Sequence, residues 1–118
     1  MSRIEAGIRT VLEFSEAFNR HDVGSMTRLM SDDCLFEYFE PAPDGGVHHG
    51  KEAITSFWHE YFSKDAEAKI DIDEIFRLGE RCILRWLDEN GRANHIRGVD
   101  IFRVRHGAIR QQLSYAKR

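Results

Sequence analysis

Cysteine and proline are scarce, with two of each among 118 residues. Cys34 and Cys82 lie in apolar runs, without metal-ligand spacing or the density of a disulfide framework, so buried thiols in a reducing compartment are expected. No apolar run approaches the ~20 residues needed to span a bilayer, and the opening MSRIEAGIRTVLEF carries charges throughout. The expected location is therefore cytoplasmic, with no membrane partner. An excess of positive charge is also missing. The 17 basic residues are scattered among 20 acidic ones, for a formal net charge of -3, which leaves no basic stripe for nucleic acid. No GxSxG elbow, P-loop, GxGxxG turn or CxxC pair occurs, so serine-hydrolase, nucleotide and thioredoxin-like chemistry lose their usual grounds. The six histidines form no HxxxH or two-histidine and carboxylate motif, and adjacent His48 and His49 turn their rings apart. No metal and no cofactor is expected.

What is present is the patterning of one domain over residues 1–118, long enough to bury a single core. Ile4, Ile8, Val11, Leu12, Ser15 and Phe18 form one stripe of an amphipathic helix over residues 3–19. Asp22 is placed to cap a shorter helix running through Val23, Met26, Leu29 and Met30, which Ser31-Asp32-Asp33 closes. A strand follows over 34–39, and the loop PAPDGGVHHG leads into an aromatic helix, residues 51–64, carrying Ile54, Phe57, Trp58, Tyr61 and Phe62. From Ala68 to Leu78 apolar and charged residues alternate, and Gly79-Glu80 turns into a meander. Helix, helix, strand, helix and four further strands make an α+β domain.

Within the meander, Asn90-Gly91 is the strongest hairpin signal, because a type I′ turn needs φ > 0 at both central residues. Pairing Glu89 with Arg92 predicts Arg81 opposite Asp100. One face would then carry Arg81, Ile83, Arg85 and Leu87 with Asp100, Phe102 and Val104. Leu84, Trp86, Val99 and Ile101 would share the other. A three-residue turn at Arg105-His106-Gly107 sets Asp100 opposite Gln112, adding Arg110, Gln112 and Ser114 to its face and Ile109, Leu113 and Tyr115 to the other. Both faces are substantially apolar, so the sheet is expected to be covered twice, by its helices and by something else.

Asp100, inside GVDIF, is the sharpest candidate for chemistry, because carboxyls rarely sit among apolar neighbours without a reason. It is either a neutral hydrogen-bond donor, an ionised base, or half of a structural pair with Arg81. Arg85, between Ile83 and Leu87, either pairs with a buried carboxylate or offers forked donors to a ligand. Tyr38, Gln112 and Ser114 are candidates to add hydrogen bonds to the same cavity.

The element order, with FNRHDVGSMTRLMSDDCLFEY, HHGKEAITSFWHEYF and GVDIFRVRHGAI, resembles the nuclear transport factor 2-like superfamily in its SnoaL-like branch, over nearly the whole chain. The resemblance implies a conical half-barrel, in which three helices from the N-terminal half pack in a strongly curved antiparallel sheet around an apolar pocket. It also implies a homodimer through the convex face, here Leu84, Trp86, Val99, Ile101, Leu113 and Tyr115. Asp100 falls where ketosteroid isomerases of this superfamily have a protonated aspartic acid, but Phe14 and Tyr38 stand where those have a tyrosine and a base. Arg85 resembles the arginine of its epoxide hydrolases, yet Leu87 and Ser114 replace the flanking aspartates. The same serine argues against aspartate-dependent polyketide cyclase chemistry.

The reading is a small-molecule-binding domain whose pocket is lined by Phe14, Phe18, Tyr38, Trp58, Phe62, Arg85, Asp100, Gln112 and Ser114, for an apolar carbonyl or acidic ligand. Any catalysis would be isomerase- or cyclase-type, with Asp100 or Arg85 polarising an oxygen and Tyr38 or another group moving the proton. The alternative is a non-catalytic interaction or structural module using the apolar sheet face.

Overall fold

The computed structural model describes residues 3–88 and 96–118. Its elements are α1 (Arg3–Asn19), α2 (Val23–Arg28), β1 (Met30–Tyr38), β2 (Gly46–His49), α3 (Lys51–Lys64), β3 (Ile70–Leu78), β4 (Arg81–Asp88), β5 (Arg97–Arg105) and β6 (Ala108–Lys117). The strands form one open sheet in the order β2-β1-β6-β5-β4-β3. Every neighbouring pair is antiparallel except β1 and β6. The three helices pack on its inner face, giving the cone-shaped α+β domain.

The stripe of α1 buries Val11, Phe14, Ser15, Ala17 and Phe18, while Arg9, Glu13 and Glu16 stay exposed. The helix stops at His21, whose φ of 58° takes the chain out of helical geometry. Asp22 then caps α2, as the sequence predicts: Ser25 N donates to its Oδ1 at 3.1 Å and Ser25 Oγ to its Oδ2 at 2.6 Å. Asn19 ties the end of α1 to the start of β3, donating to Ile70 O at 3.0 Å and accepting from Ile70 N at 2.9 Å.

Several boundaries differ from the sequence reading. The second helix ends at Arg28, and β1 begins at Met30, because Ile109 N of β6 donates to Leu29 O at 2.8 Å and parallel pairing with β6 claims the segment. A short strand, β2, lies within the expected loop and pairs with β1. The turn at His106-Gly107 has two residues rather than three. Both take positive φ, 53° and 75°, and Arg105 pairs with Ala108. With an irregularity between Arg103 and Val104, Asp100 therefore faces Ser114 instead of Gln112. That displacement is even, so Gln112 and Ser114 remain on the Asp100 face, whereas Ile109 turns inward.

The larger correction concerns β4. The Asn90-Gly91 turn lies outside the described residues, but the pairing of Leu87 with Arg97 and Leu84 with Asp100 displaces the expected register by an odd number of residues. Every β4 side chain changes face. Cys82, Leu84 and Trp86 are buried inside, and Arg81, Ile83, Arg85 and Leu87 lie on the outer surface. Burial opposes the turn signal here: the predicted register would desolvate two guanidinium groups, while the observed one buries an indole and an isobutyl group. Leu84 and Trp86 thus do not belong to the convex face expected to dimerise, whereas Val99, Ile101, Leu113 and Tyr115 do. Arg81 pairs with Arg103, so it forms no structural pair with Asp100.

Both cysteines are free and buried, and burial pushes each thiol up to about 11. At neutral pH a water-soluble disulfide reagent is expected to modify neither in the native protein and both in denaturant. Rapid labelling of either thiol in the native state would contradict the packing described.

Candidate functional site

Asp100 lies near the middle of β5, 8% exposed, with its carboxyl directed under the helices. The strand register supplies its partners. Ser114 stands directly opposite on β6, Gln112 is one same-face position further along that strand, and Trp86 is the diagonal neighbour on β4. Ser114 Oγ donates to Asp100 Oδ1 at 2.6 Å, Trp86 Nε1 to the same oxygen at 3.0 Å, and Gln112 Nε2 to Oδ2 at 2.9 Å. No cation takes part among the described residues. Burial raises the Asp100 carboxyl above its ordinary value, and the hydrogen bonds from Ser114, Gln112 and Trp86 oppose that rise.

Trp86 reaches Asp100 because the residue opposite it on β5 is Gly98. A Cβ there would collide with Trp86 Cζ2 and come within 2.6 Å of Tyr115 O. The missing side chain is therefore a seat for the indole.

A cavity of about 370 Å³ opens beside this cluster, within the range of small-molecule sites. Phe14, Phe18, Tyr38, Trp58, Leu84 and Trp86 supply much of its apolar wall, and Asp100, Gln112, Ser114 and Ser15 its polar part. The aromatic rings are mutually braced. Phe14 meets Phe102 edge-on at 5.6 Å, Phe18 meets Trp58 edge-on at 5.5 Å, and Trp58 stacks on Phe36 at 5.2 Å. Charged residues also contribute to the lining, namely Glu40, Lys64, Asp65, Lys69, Asp88 and Arg118.

Tyr38 and Tyr61 meet edge-on at 6.1 Å, and burial raises both phenols. A phenol so raised stays protonated at neutral pH, so Tyr38 can donate a proton but is a poor acceptor. Trp58 Nε1 and Gln112 Oε1 are buried without a hydrogen-bond partner among the described residues. No group of three or more His, Cys, Asp or Glu side chains that could hold a metal gathers among the described residues.

Of the residues singled out from sequence, the cavity gathers Phe14, Phe18, Tyr38, Trp58, Asp100, Gln112 and Ser114. Phe62 is buried behind it, against Phe18 at 5.2 Å and His21 at 4.2 Å, and does not line it. Arg85 is on the opposite side of the sheet, exposed, and ion-paired to Asp73 at 2.9 Å and Glu74 at 3.2 Å. It cannot reach the cavity. Tyr61, from the aromatic face of α3, also lines it, and Trp86 was missed. The signal for Trp86 was the pairing of a large residue with a glycine across the strands, which the turn-based register concealed.

Comparison with known proteins matches residues 11–112 to the SnoaL-like domain. Among solved structures, an NTF2-like protein of unknown function from Mesorhizobium loti has a TM-score of 0.84 at 30% identity, covering 100% of this chain and 96% of that one. Another from Burkholderia pseudomallei has a TM-score of 0.78 at 24% identity, over 98% and 91% of the two chains. TerC, co-crystallised with polyporic acid, has a TM-score of 0.77 at 15% identity, over 93% and 90%. A comparison with curated proteins gave no match.

Proposed function

The chain belongs to the SnoaL-like domain family, and from that premise we propose that its cavity binds an apolar small molecule bearing a carbonyl or acidic oxygen. That oxygen is received by Asp100 acting as an un-ionised acid. The observation that carries this reading is a buried carboxyl on a largely apolar cavity wall, whose hydrogen-bond partners among the described residues are all neutral donors. Oδ1 takes two of its three donors and Oδ2 only one, which leaves Oδ2 the atom with room for a proton. A carboxylic acid kept neutral by its surroundings is a strong donor to a ligand oxygen. Binding rather than turnover is favoured by Tyr38: with its phenol raised by burial, the site has an acid but not the base that carbonyl isomerisation needs at that position.

The outer face supports a homodimer as part of the proposal. Leu113, Ile101, Ile83 and Phe76 succeed one another across β6, β5, β4 and β3 in register, and Phe76 is 45% exposed. An apolar row crossing four strands is what a second copy would cover.

Acetylnaphthalene is a suitable probe, having an apolar body and one carbonyl. If Asp100 donates, its affinity should be full at pH values below the raised Asp100 pKa and decline as pH climbs through it. The Asp100→Asn variant, which keeps a donor at that position, should bind with a flat pH profile. Calorimetric titration of both proteins against pH decides the matter: affinity that rises with pH, or no saturable binding at any pH, would overturn the proposal. Native mass spectrometry of the same samples counts the chains and detects any retained molecule, and a monomer at all concentrations would remove the dimer.

A further inference from the structure

Beyond the apolar row, the outer face ends in a different composition. The next row across the sheet is Tyr115, Val99, Arg85 and Glu74, and the one after it Lys117, Arg97, Leu87 and Asp71. Arg97 and Lys117 are direct cross-strand partners, so two cations face one another where like charges are unfavourable. Among the described residues, neither side chain has a carboxylate within ion-pairing distance. Other cations on this sheet are arranged differently. Arg103 and Arg105 gather on Glu80, at 3.7 Å and 3.3 Å, and Arg85 is held by Asp73 and Glu74. Arg97 and Lys117 are a cation pair that, among the described residues, has no carboxylate between its two members.

They border a hollow of about 430 Å³ that opens on this outer side of the sheet, with Leu87, Val99 and Tyr115 in its wall and, at its far edge, Asp73 already neutralised by Arg85 at 2.9 Å. Leu87 is 44% exposed and Tyr115 51% in the single chain, so the wall offers apolar surface beside these charges, outside the row of Leu113, Ile101, Ile83 and Phe76 proposed for the dimer. We propose that this hollow is a second ligand site, which takes a small oxyanion, a carboxylate or phosphate, carried on an apolar body. Arg97 presents a planar fork and Lys117 a point charge to the anion, whose arrival converts their repulsion into two attractions. Leu87, Val99 and the Tyr115 ring pack against the apolar body. A nucleic-acid backbone is a poor fit, because Asp71, Asp73 and Glu74 border the same end of the sheet and interrupt any basic track.

The hollow shares Trp86 with the internal cavity but opens on the other side of the sheet, and the test keeps the two apart. Benzoate, phenyl phosphate and inorganic phosphate are titrated at low ionic strength, with binding followed by NMR shifts of backbone amides. Benzoate and phenyl phosphate should bind saturably, the tighter of the two identifying the preferred anion, and inorganic phosphate more weakly than either because it lacks the apolar body. Followed at the Leu87, Val99 and Tyr115 amides, Arg97→Gln or Lys117→Gln should each weaken the aromatic anions by about tenfold, the double variant should abolish the saturable shifts there, and added salt should weaken binding. Both single variants should leave acetylnaphthalene binding unchanged. Saturable shifts at the Leu87, Val99 and Tyr115 amides that survive in the double variant, or their absence with all three probes, would overturn the assignment, whereas shifts confined to residues around Asp100 report the internal cavity.

Discussion

Asp100→Ala is expected to lower the unfolding free energy by about 3 kcal/mol or more, because it strands the indole N–H of Trp86, the amide of Gln112 and the hydroxyl of Ser114 at roughly 1–3 kcal/mol for each buried donor. Asp100→Asn should cost far less. If the Gln112 amide turns over, its Oε1, now without a partner, accepts from the new amide, while Oδ1 keeps the Trp86 and Ser114 hydrogen bonds. The two substitutions also differ in pH dependence. Burial raises Asp100, so the folded chain keeps a proton that the unfolded chain releases at the ordinary carboxylate pKa. The stabilisation from that proton is fully present below the unfolded value and is lost as pH rises through the raised folded value. Asp100→Asn has no such proton, so its stability relative to the parent should improve as pH climbs through that window. Urea unfolding at a series of pH values measures both effects. Parallel profiles for the two proteins, or an alanine variant no weaker than a surface substitution, would show that the carboxyl is neither sealed nor raised as described.

Gly98→Ala should be the most damaging change of a single methyl group in the sheet. The added carbon occupies the seat of the Trp86 indole and lies 2.6 Å from the backbone oxygen of Tyr115. Neither obstacle gives easily, because one is a buried ring and the other is main chain. We expect a loss of about 2–4 kcal/mol, at the upper end of overpacking in a filled core. The indole must also withdraw from Asp100, so acetylnaphthalene binding should weaken and the tryptophan emission should change. In a Trp86→Ala background the same glycine substitution should cost less, though not nothing, since the Tyr115 carbonyl remains. If Gly98→Ala cost the same in both backgrounds, the seat would not be what the glycine provides.

How much of this was legible in the chain depended on whether local patterning or long-range pairing governed each part. The stripe of α1, the aromatic face of α3, the Asp22 cap and the turn at Gly79 all follow from residues close together in sequence, and each stands as expected. Asp100 was identifiable because a carboxyl amid apolar residues in a strand is anomalous wherever the strand goes. Its register with Gln112 and Ser114 was recoverable to within an even displacement, which leaves faces unchanged. The β4 register was not, because a turn signal at Asn90-Gly91 fixes parity only if the strands meet at that turn. Parity exchanged Arg85 for Trp86 at the cavity.

By itself the sequence determined the α+β class, the amphipathic helices and the presence of one buried acid. Period, propensity and charge are local properties, and they act whatever the rest of the chain does. Tertiary structure alone decided that Trp86 rather than Arg85 meets Asp100, that Gly98 makes room for it, and that Arg97 and Lys117 are left facing each other. Each of those outcomes is a choice of which side chains leave water, and that choice is made by the whole sheet closing over its helices.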